Sequence, residues 1–312
     1  MTEIKLQLAN PRGFCAGVER AIEIVEAALE KYGAPIYVKH EVVHNKFVID
    51  DLKSRGVCFI EDLSKVPEGS HIIFSAHGVS KNINSDAKKF NLIPIDATCP
   101  LVTKVHTEVN KYLKNNFFVV MIGHRNHPEV EGTLGQASND DEKQKMYLVE
   151  SVNDVSNLNI SVNQNIAYVT QTTLSINETK EIITALTNKY PNIKGPDLKD
   201  ICYATQNRQD AIIDKIEKYD LLIVVGSENS SNSNRLFEIG VKNNVNSYLI
   251  DNPDLVQADW FKNKKNILLT SGASAPEKLT QLILNKIKKI TSATITELPA
   301  DKENVLFKLP LI

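Results

Sequence analysis

Along the chain, short apolar runs alternate with longer stretches whose apolar residues recur every three or four positions. The first pattern suits a buried strand and the second an amphipathic helix. Residues 4–9 predict a strand and residues 18–32 the helix that follows it. The same alternation continues beyond them and predicts an α/β protein with mostly parallel sheets. Between that strand and helix lies Asn10-Pro11-Arg12-Gly13-Phe14-Cys15-Ala16-Gly17. A cysteine there sits at a helix N-terminus, where backbone N–H groups lack helical partners and favour a thiolate.

The arrangement occurs three times. Segments starting at Cys15, Cys99 and Cys202 each pass a short turn and continue as an amphipathic helix. These helices close on Lys31-Tyr32, Lys111-Tyr112 and Lys218-Tyr219. Each is followed by a strand (36–38, 117–122, 221–225) and a polar loop (40–45, 123–129, 226–233). A short strand ending in an acid comes next (57–61, 146–150, 247–251). Then a strand runs into small polar residues (72–80, 167–175, 267–276).

The chain therefore reads as three copies of one plan. They span 15–98, 99–201 and 202–293, the third completed by the N-terminal stretch 1–14. Residues 294–312 form a tail whose strand-like run is 304–309. The expected architecture is three similar small α/β domains in a pseudo-threefold trefoil. Residues 138–145 and 192–199, rich in Asn, Asp, Lys and Gly, are expected to be surface loops.

In open parallel sheets, ligands bind at the carboxyl ends of the strands, and the three cysteines and the polar loops fall there. Three sulfurs from distant segments do not close a four-ligand zinc site unaided. They can hold three irons of a 4Fe–4S cube and leave the fourth open. The local C-x₂-C spacing of ferredoxins is absent. Structural cysteines retained from a duplication, and separate thiol chemistry, stand as alternatives at this point. Cys58 falls inside an alternating strand, where the other copies have Tyr147 and Tyr248, and reads as core.

The loops carry His44, His77, His124, His127, Thr172, Thr173, Ser230, Ser231, Asn232 and Ser274. Neutral hydrogen-bond donors facing helix N-termini suit a compact polyanion such as phosphate or diphosphate. For the histidines, a structural hydrogen-bonding role is the competing reading. No G-x-x-x-x-G-K-[ST] loop and no convincing G-x-G-x-x-G is present, so nucleotide binding by those routes is not expected. Glu129, two residues past His127, either holds a proton near neutral pH or serves the dipole of the following helix.

Composition narrows the classes. The chain has 312 residues, 42% of them hydrophobic, and a formal charge of −2, so no general basic field invites nucleic acid. No stretch approaches the roughly 18 apolar residues of a membrane span. The N-terminus is too short and polar in its core for a signal peptide. Four scattered cysteines fit a reducing compartment. The expectation is a cytoplasmic protein.

Longer motifs carry a family resemblance. They are N-P-R-G-F-C-A-G at 10–17, H-E-V-V-H-N at 40–45, F-S-A-H-G-V-S at 74–80, D-A-T-C-P-L-V-T-K-V-H at 96–106 and G-H-x-x-H-P-E-V-E-G-T at 123–133. T-Q-T-T-L-S at 170–175, I-C-Y-A-T-x-N-R-Q at 201–209, G-S-x-N-S-S-N-S-N-R-L at 226–236 and G-A-S-A-P at 272–276 complete the set. With them the chain resembles the 4-hydroxy-3-methylbut-2-enyl diphosphate reductases, the LytB-type iron–sulfur enzymes that end the methylerythritol phosphate route to isoprenoids.

The resemblance implies a trefoil around one 4Fe–4S cluster ligated by Cys15, Cys99 and Cys202, with its fourth iron open to substrate. It implies diphosphate binding by His44, His77, His127, Ser230, Ser231, Asn232 and Ser274. Glu129 matches the proton donor, and Thr172 the hydroxyl that orders the substrate's alcohol with it; on chemical grounds His127 and Thr172 can help Glu129 supply the proton. The implied reaction is a reductive dehydroxylation with two electrons and two protons, yielding isopentenyl and dimethylallyl diphosphate. Its electron donor would be a flavodoxin or ferredoxin. A hydro-lyase with a three-cysteine cluster, acting on a phosphorylated small molecule, is the alternative. A non-enzymatic cluster-based sensor and a sugar-phosphate binder with structural cysteines are the remaining rivals.

Overall fold

The structure, a computed structural model, describes residues 4–196, 200–299, 303–310 and 312. Residues 1–3 of the N-terminal stretch, 197–199 of the second soft insertion, and 300–302 and 311 of the tail lie outside the described residues. The first half runs β1 (Lys5–Leu8), α1 (Ala16–Tyr32), β2 (Ile36–Lys39), α2 (Lys46–Ser54), β3 (Val57–Ile60), β4 (His71–Phe74), α3 (Lys81–Lys89), β5 (Ile93–Asp96), α4 (Pro100–Lys114) and β6 (Phe118–Ile122). It continues with α5 (Pro128–Leu134), α6 (Asp140–Lys143), β7 (Met146–Val149), α7 (Val152–Asn157), β8 (Ile166–Thr170) and α8 (Ile176–Lys189). The remainder is α9 (Tyr203–Ile213), β9 (Leu221–Val225), α10 (Ser231–Lys242), β10 (Asn246–Ile250), β11 (Asn266–Ser271), α11 (Glu277–Ile290) and β12 (Thr294–Glu297).

These strands form three parallel sheets, ordered β3-β2-β4-β5, β7-β6-β8 and β10-β9-β11-β1-β12. The chain divides into two compact units. One comprises Met1–Glu19, Val43–Ser54 and Tyr203–Leu306, and holds the five-stranded sheet. There β1 lies between β11 and β12, with Leu6 opposite both Ile267 and Ile295. Every residue of β9, Leu-Leu-Ile-Val-Val, is buried, because helices cover both faces. Leu221, Ile223 and Val225 pack with Leu279, Ile283 and Ile287 of α11. Leu222 and Val224 pack on the other face with Ile212 of α9 and Leu236 of α10.

The other unit comprises Arg20–Val42, Arg55–Cys202 and Phe307–Ile312, and holds the two smaller sheets. In β6 and β8 the apolar run is again buried on both sides, with Val119 and Met121 in one cluster and Val120 and Ile122 in another. No helix among the described residues is long and apolar enough to cross a membrane.

Several local expectations need correction. Cys58 is exposed, not core. It lies in β3, the outermost strand of its sheet, where Val57 takes the buried face and the next residue turns the opposite way. The strand of the tail is β12, not 304–309. The β-branched run Thr-Ile-Thr reaches the edge of β1 first, and residues 304–309 run on without regular structure, Leu306 being 91% exposed. The helix after Cys202 ends at Ile213, and a separate 3₁₀ turn, Ile216–Lys218, leads to Tyr219. The first soft insertion contains α6, capped by the Asn139 side chain accepting from the Glu142 N–H.

Candidate active site

Glu129 is placed by two loops at carboxyl ends of strands. After β6 the chain turns through Gly123 to His127, and α5 begins at Pro128. His127 caps that helix: its Nδ1 accepts the Glu129 N–H at 3.2 Å, which leaves the hydrogen of a neutral ring on Nε2. The Glu129 side chain then reaches the loop after β8. Its Oε1 accepts the Thr172 N–H at 2.7 Å and its Oε2 the Thr172 hydroxyl at 2.9 Å. Only 2% of Glu129 is exposed. Burial pushes its carboxyl up to about 7, opposed by the two bonds from Thr172 and reinforced by the negative charge of Asp200.

Asp200 was not singled out in the sequence. It is 3% exposed, accepts the Thr170 N–H at 3.3 Å, and meets Lys104 Nζ of α4 at 3.2 Å. Burial pushes this carboxyl up as well, against the pull of Lys104. An acid two residues before a cysteine at a strand-to-helix turn was the available signal. Gln171 was also passed over; its Oε1 accepts the His124 N–H at 3.0 Å and its Nε2 donates to Thr173 Oγ1 at 2.9 Å. His77 stands beside His127, ring edge to face with centroids 5.7 Å apart, and its Nδ1 lies 3.4 Å from Ser75 Oγ.

The other unit brings together the hydroxyl and amide groups. Ser230 is the N-cap of α10, and its Oγ lies 3.1 Å from Ser233 Oγ and 3.3 Å from Ser274 Oγ. Ser274 Oγ donates to the His44 carbonyl at 2.9 Å, which ties the loop before α2 to the loop after β11. Asn232 Oδ1 accepts the Ala273 N–H at 2.7 Å, whereas its Nδ2 is buried with no hydrogen-bond partner among the described residues. Such an unmade bond on a residue 3% exposed costs about 1–3 kcal/mol unless a ligand accepts it. Ser231 is the first residue of α10, at the helix end whose leading N–H groups point toward the loop after β11 without a partner in an earlier helical turn. A side chain at Gly272 would collide with Ser233 Oγ, so glycine lets the β11 loop close on this helix end.

All three predicted ligand cysteines sit at helix starts and outside disulfide bonds. The Cys15 sulfur receives N–H groups from Gly17 and Val18 and feels the Arg208 cation, while its burial pushes the thiol up. Backbone bonds tie the other two to the loops just described. The Cys99 N–H donates to the Ala76 carbonyl at 3.0 Å and the Cys202 N–H to the Thr172 carbonyl at 2.9 Å.

Comparison with known proteins matches a family model described as LytB protein over residues 6–288. The chain belongs to the LytB family. It is 53% identical over 307 residues to the 4-hydroxy-3-methylbut-2-enyl diphosphate reductase of Haemophilus influenzae (strain PittEE), covering 98% of this chain and 97% of that protein. The enzyme of that name from Dechloromonas aromatica (strain RCB) is also 53% identical, with 98% and 99% covered. Among solved structures, E-1-hydroxy-2-methyl-but-2-enyl-4-diphosphate reductase from Plasmodium falciparum superposes with a TM-score of 0.94 at 45% identity, covering 99% of this chain and 96% of that one. A second, described as the terminal enzyme of the non-mevalonate pathway, gives 0.65 at 31% identity over 93% and 100%.

LytB membership carries an iron–sulfur cofactor with it, and the residues fit one. Soft sulfur donors at helix starts, with N–H groups aimed at the Cys15 sulfur, are what an iron–sulfur group needs.

Proposed function

We propose that the chain reduces 4-hydroxy-3-methylbut-2-enyl diphosphate to isopentenyl and dimethylallyl diphosphate, the last step of the methylerythritol phosphate route. The carrying observation is Glu129, buried, poised near neutrality and bonded through both oxygens to Thr172. An allylic alcohol is a poor leaving group until its oxygen is protonated. In this reading the C–O bond breaks, the hydroxyl leaves as water with one proton, and the carbon skeleton gains two electrons and the second proton.

Cys15, Cys99 and Cys202 would hold a 4Fe–4S cluster with one iron open, which would supply Lewis acidity at the alcohol and a path for single electrons. The chain's own residues do the rest. Ser230, Ser231, Asn232, Ser274 and His44 are assigned to the diphosphate, as are His77 and His127. Hydroxyl and amide donors bind the polyanion without locking it in a fixed salt bridge, and the buried Asn232 Nδ2 is one donor with no partner among the described residues. Anchoring the diphosphate brings the alcohol to the Thr172 hydroxyl. Protonated Glu129 then gives its proton to the departing oxygen, and the Glu129 N–H to His127 Nδ1 bond fixes the imidazole beside it.

The stretches 15–98, 99–201 and 202–293, with 1–14 completing the third and 294–312 as a tail, are taken as three domains of one plan. A flavodoxin or ferredoxin is assigned as electron donor, and the cytoplasm as the compartment. The test is Glu129→Gln assayed anaerobically. It should keep iron content and substrate affinity while kcat falls on the order of 10²–10⁴-fold. Near-normal turnover would refute the assignment.

A further inference from the structure

Arg208 is a completely buried cation in the second turn of α9, and the reaction above gives it no task. Its guanidinium donates to the Gly13 carbonyl from Nε at 3.0 Å and from Nη2 at 2.8 Å. Nη2 also donates to the Phe14 carbonyl at 3.1 Å, and Nη1 to the Ala204 carbonyl at 2.9 Å. The charge is met by Glu303 of the tail, whose Oε1 lies 3.1 Å from Nη1 and whose Oε2 lies 3.3 Å from both terminal nitrogens. Asn207 Nδ2 steadies the same carboxylate at 2.9 Å. Every one of these groups belongs to the unit that contains Cys15.

A buried guanidinium is expensive unless it is paired and its donors are used. Here it serves the two residues directly before Cys15. Gly13 has φ +72, and a side chain there would press on the Ala275 carbonyl at 3.3 Å. The Gly13 and Cys15 N–H groups donate to the Ser271 and Ala273 carbonyls, both at 3.2 Å. The turn is therefore held by main chain through its N–H groups and by Arg208 through its carbonyls. A lysine could not replace the planar fork that spans both oxygens.

We propose that Glu303 and Arg208 are positioning residues for Cys15: the tail carboxylate fixes the guanidinium, and the guanidinium fixes the ligand turn and the field at an iron bound to its sulfur. This inference rests on the assignment of Cys15 as an iron ligand. The negative charge of Glu303 favours the more oxidised state of such a group, and the cation opposes it. Glu303 is the position to vary, because its side chain is 17% exposed and its replacement empties no core.

The experiment uses full-length protein, reconstituted anaerobically, as wild type, Glu303→Gln, Glu303→Asp and Arg208→Lys. Iron and sulfide per chain are measured, then the midpoint potential by a titration followed by paramagnetic resonance, then iron release to a chelator. Glu303→Gln should keep wild-type iron and shift the potential upward, and Glu303→Asp should return it toward wild type. Arg208→Lys, which keeps the charge and loses the fork, should release iron several-fold faster. An unshifted potential in Glu303→Gln, or wild-type release from Arg208→Lys, would overturn the proposal. A wild-type protein that takes up no iron would instead remove the ligand assignment itself.

Discussion

With 2% of its surface exposed, Glu129 keeps a proton to about pH 7, where an ordinary glutamate loses it near 4.5. Two consequences follow at the scale of this residue. Turnover should be highest below about pH 7 and fall as the acid is lost above it, read from the pH profile of kcat. Stability should move with pH in the same sense. The folded state binds the proton more tightly than the unfolded chain, so its contribution is fully present below about 4.5 and is lost as pH rises through about 7. The full effect is about 3 kcal/mol. Thermal melts of Glu129→Gln should show a shallower loss over that window; an unchanged slope would contradict it. The unusual setting of Glu129 was legible because His127 and the polar loop around it marked that stretch. The acid that reinforces it, Asp200, was not: its place two residues before Cys202 was the one local sign, and that sign does not reveal that the carboxylate folds back onto the Thr170 N–H.

Elements set how closely these groups approach. The loop after β11 closes on the start of α10 only because Gly272 has no side chain to strike Ser233. Gly272→Ala should cost about 1–3 kcal/mol of stability through overpacking. By disturbing Ser230, Asn232 and Ser274 together it should also raise the substrate KM on the order of tenfold. An unchanged KM would detach this helix end from the diphosphate. The helices and inner strands were readable from periodicity, because parallel strands covered on both faces are uniformly apolar. Edges were not. Cys58 has the alternation of a core strand, yet β3 is outermost and leaves that face to water. Accordingly, Cys58→Ser should change stability by no more than about 0.5 kcal/mol and leave turnover intact. Cys58 should also be labelled readily by a thiol reagent in the native protein; protection of that thiol would restore the core reading.

At the scale of the molecule, the segments that begin at Cys15, Cys99 and Cys202 each contribute strands to a separate parallel sheet. The N-terminal strand β1 joins the sheet that holds β9, β10 and β11, as the assignment of stretch 1–14 to the third copy predicts. The pairing of Arg208 with Glu303, 95 residues further on, had no such signal, because tail residues carry no periodic pattern that announces a distant partner. Reduction of an allylic diphosphate and its dehydration differ in one observable, the consumption of reductant. The most direct test is anaerobic turnover of 4-hydroxy-3-methylbut-2-enyl diphosphate with a stoichiometric artificial reductant. Two electrons consumed for every C–O bond broken, with isopentenyl and dimethylallyl diphosphate as products, is the predicted result. Loss of water without consumption of reductant, or no turnover by fully iron-loaded protein, would contradict it.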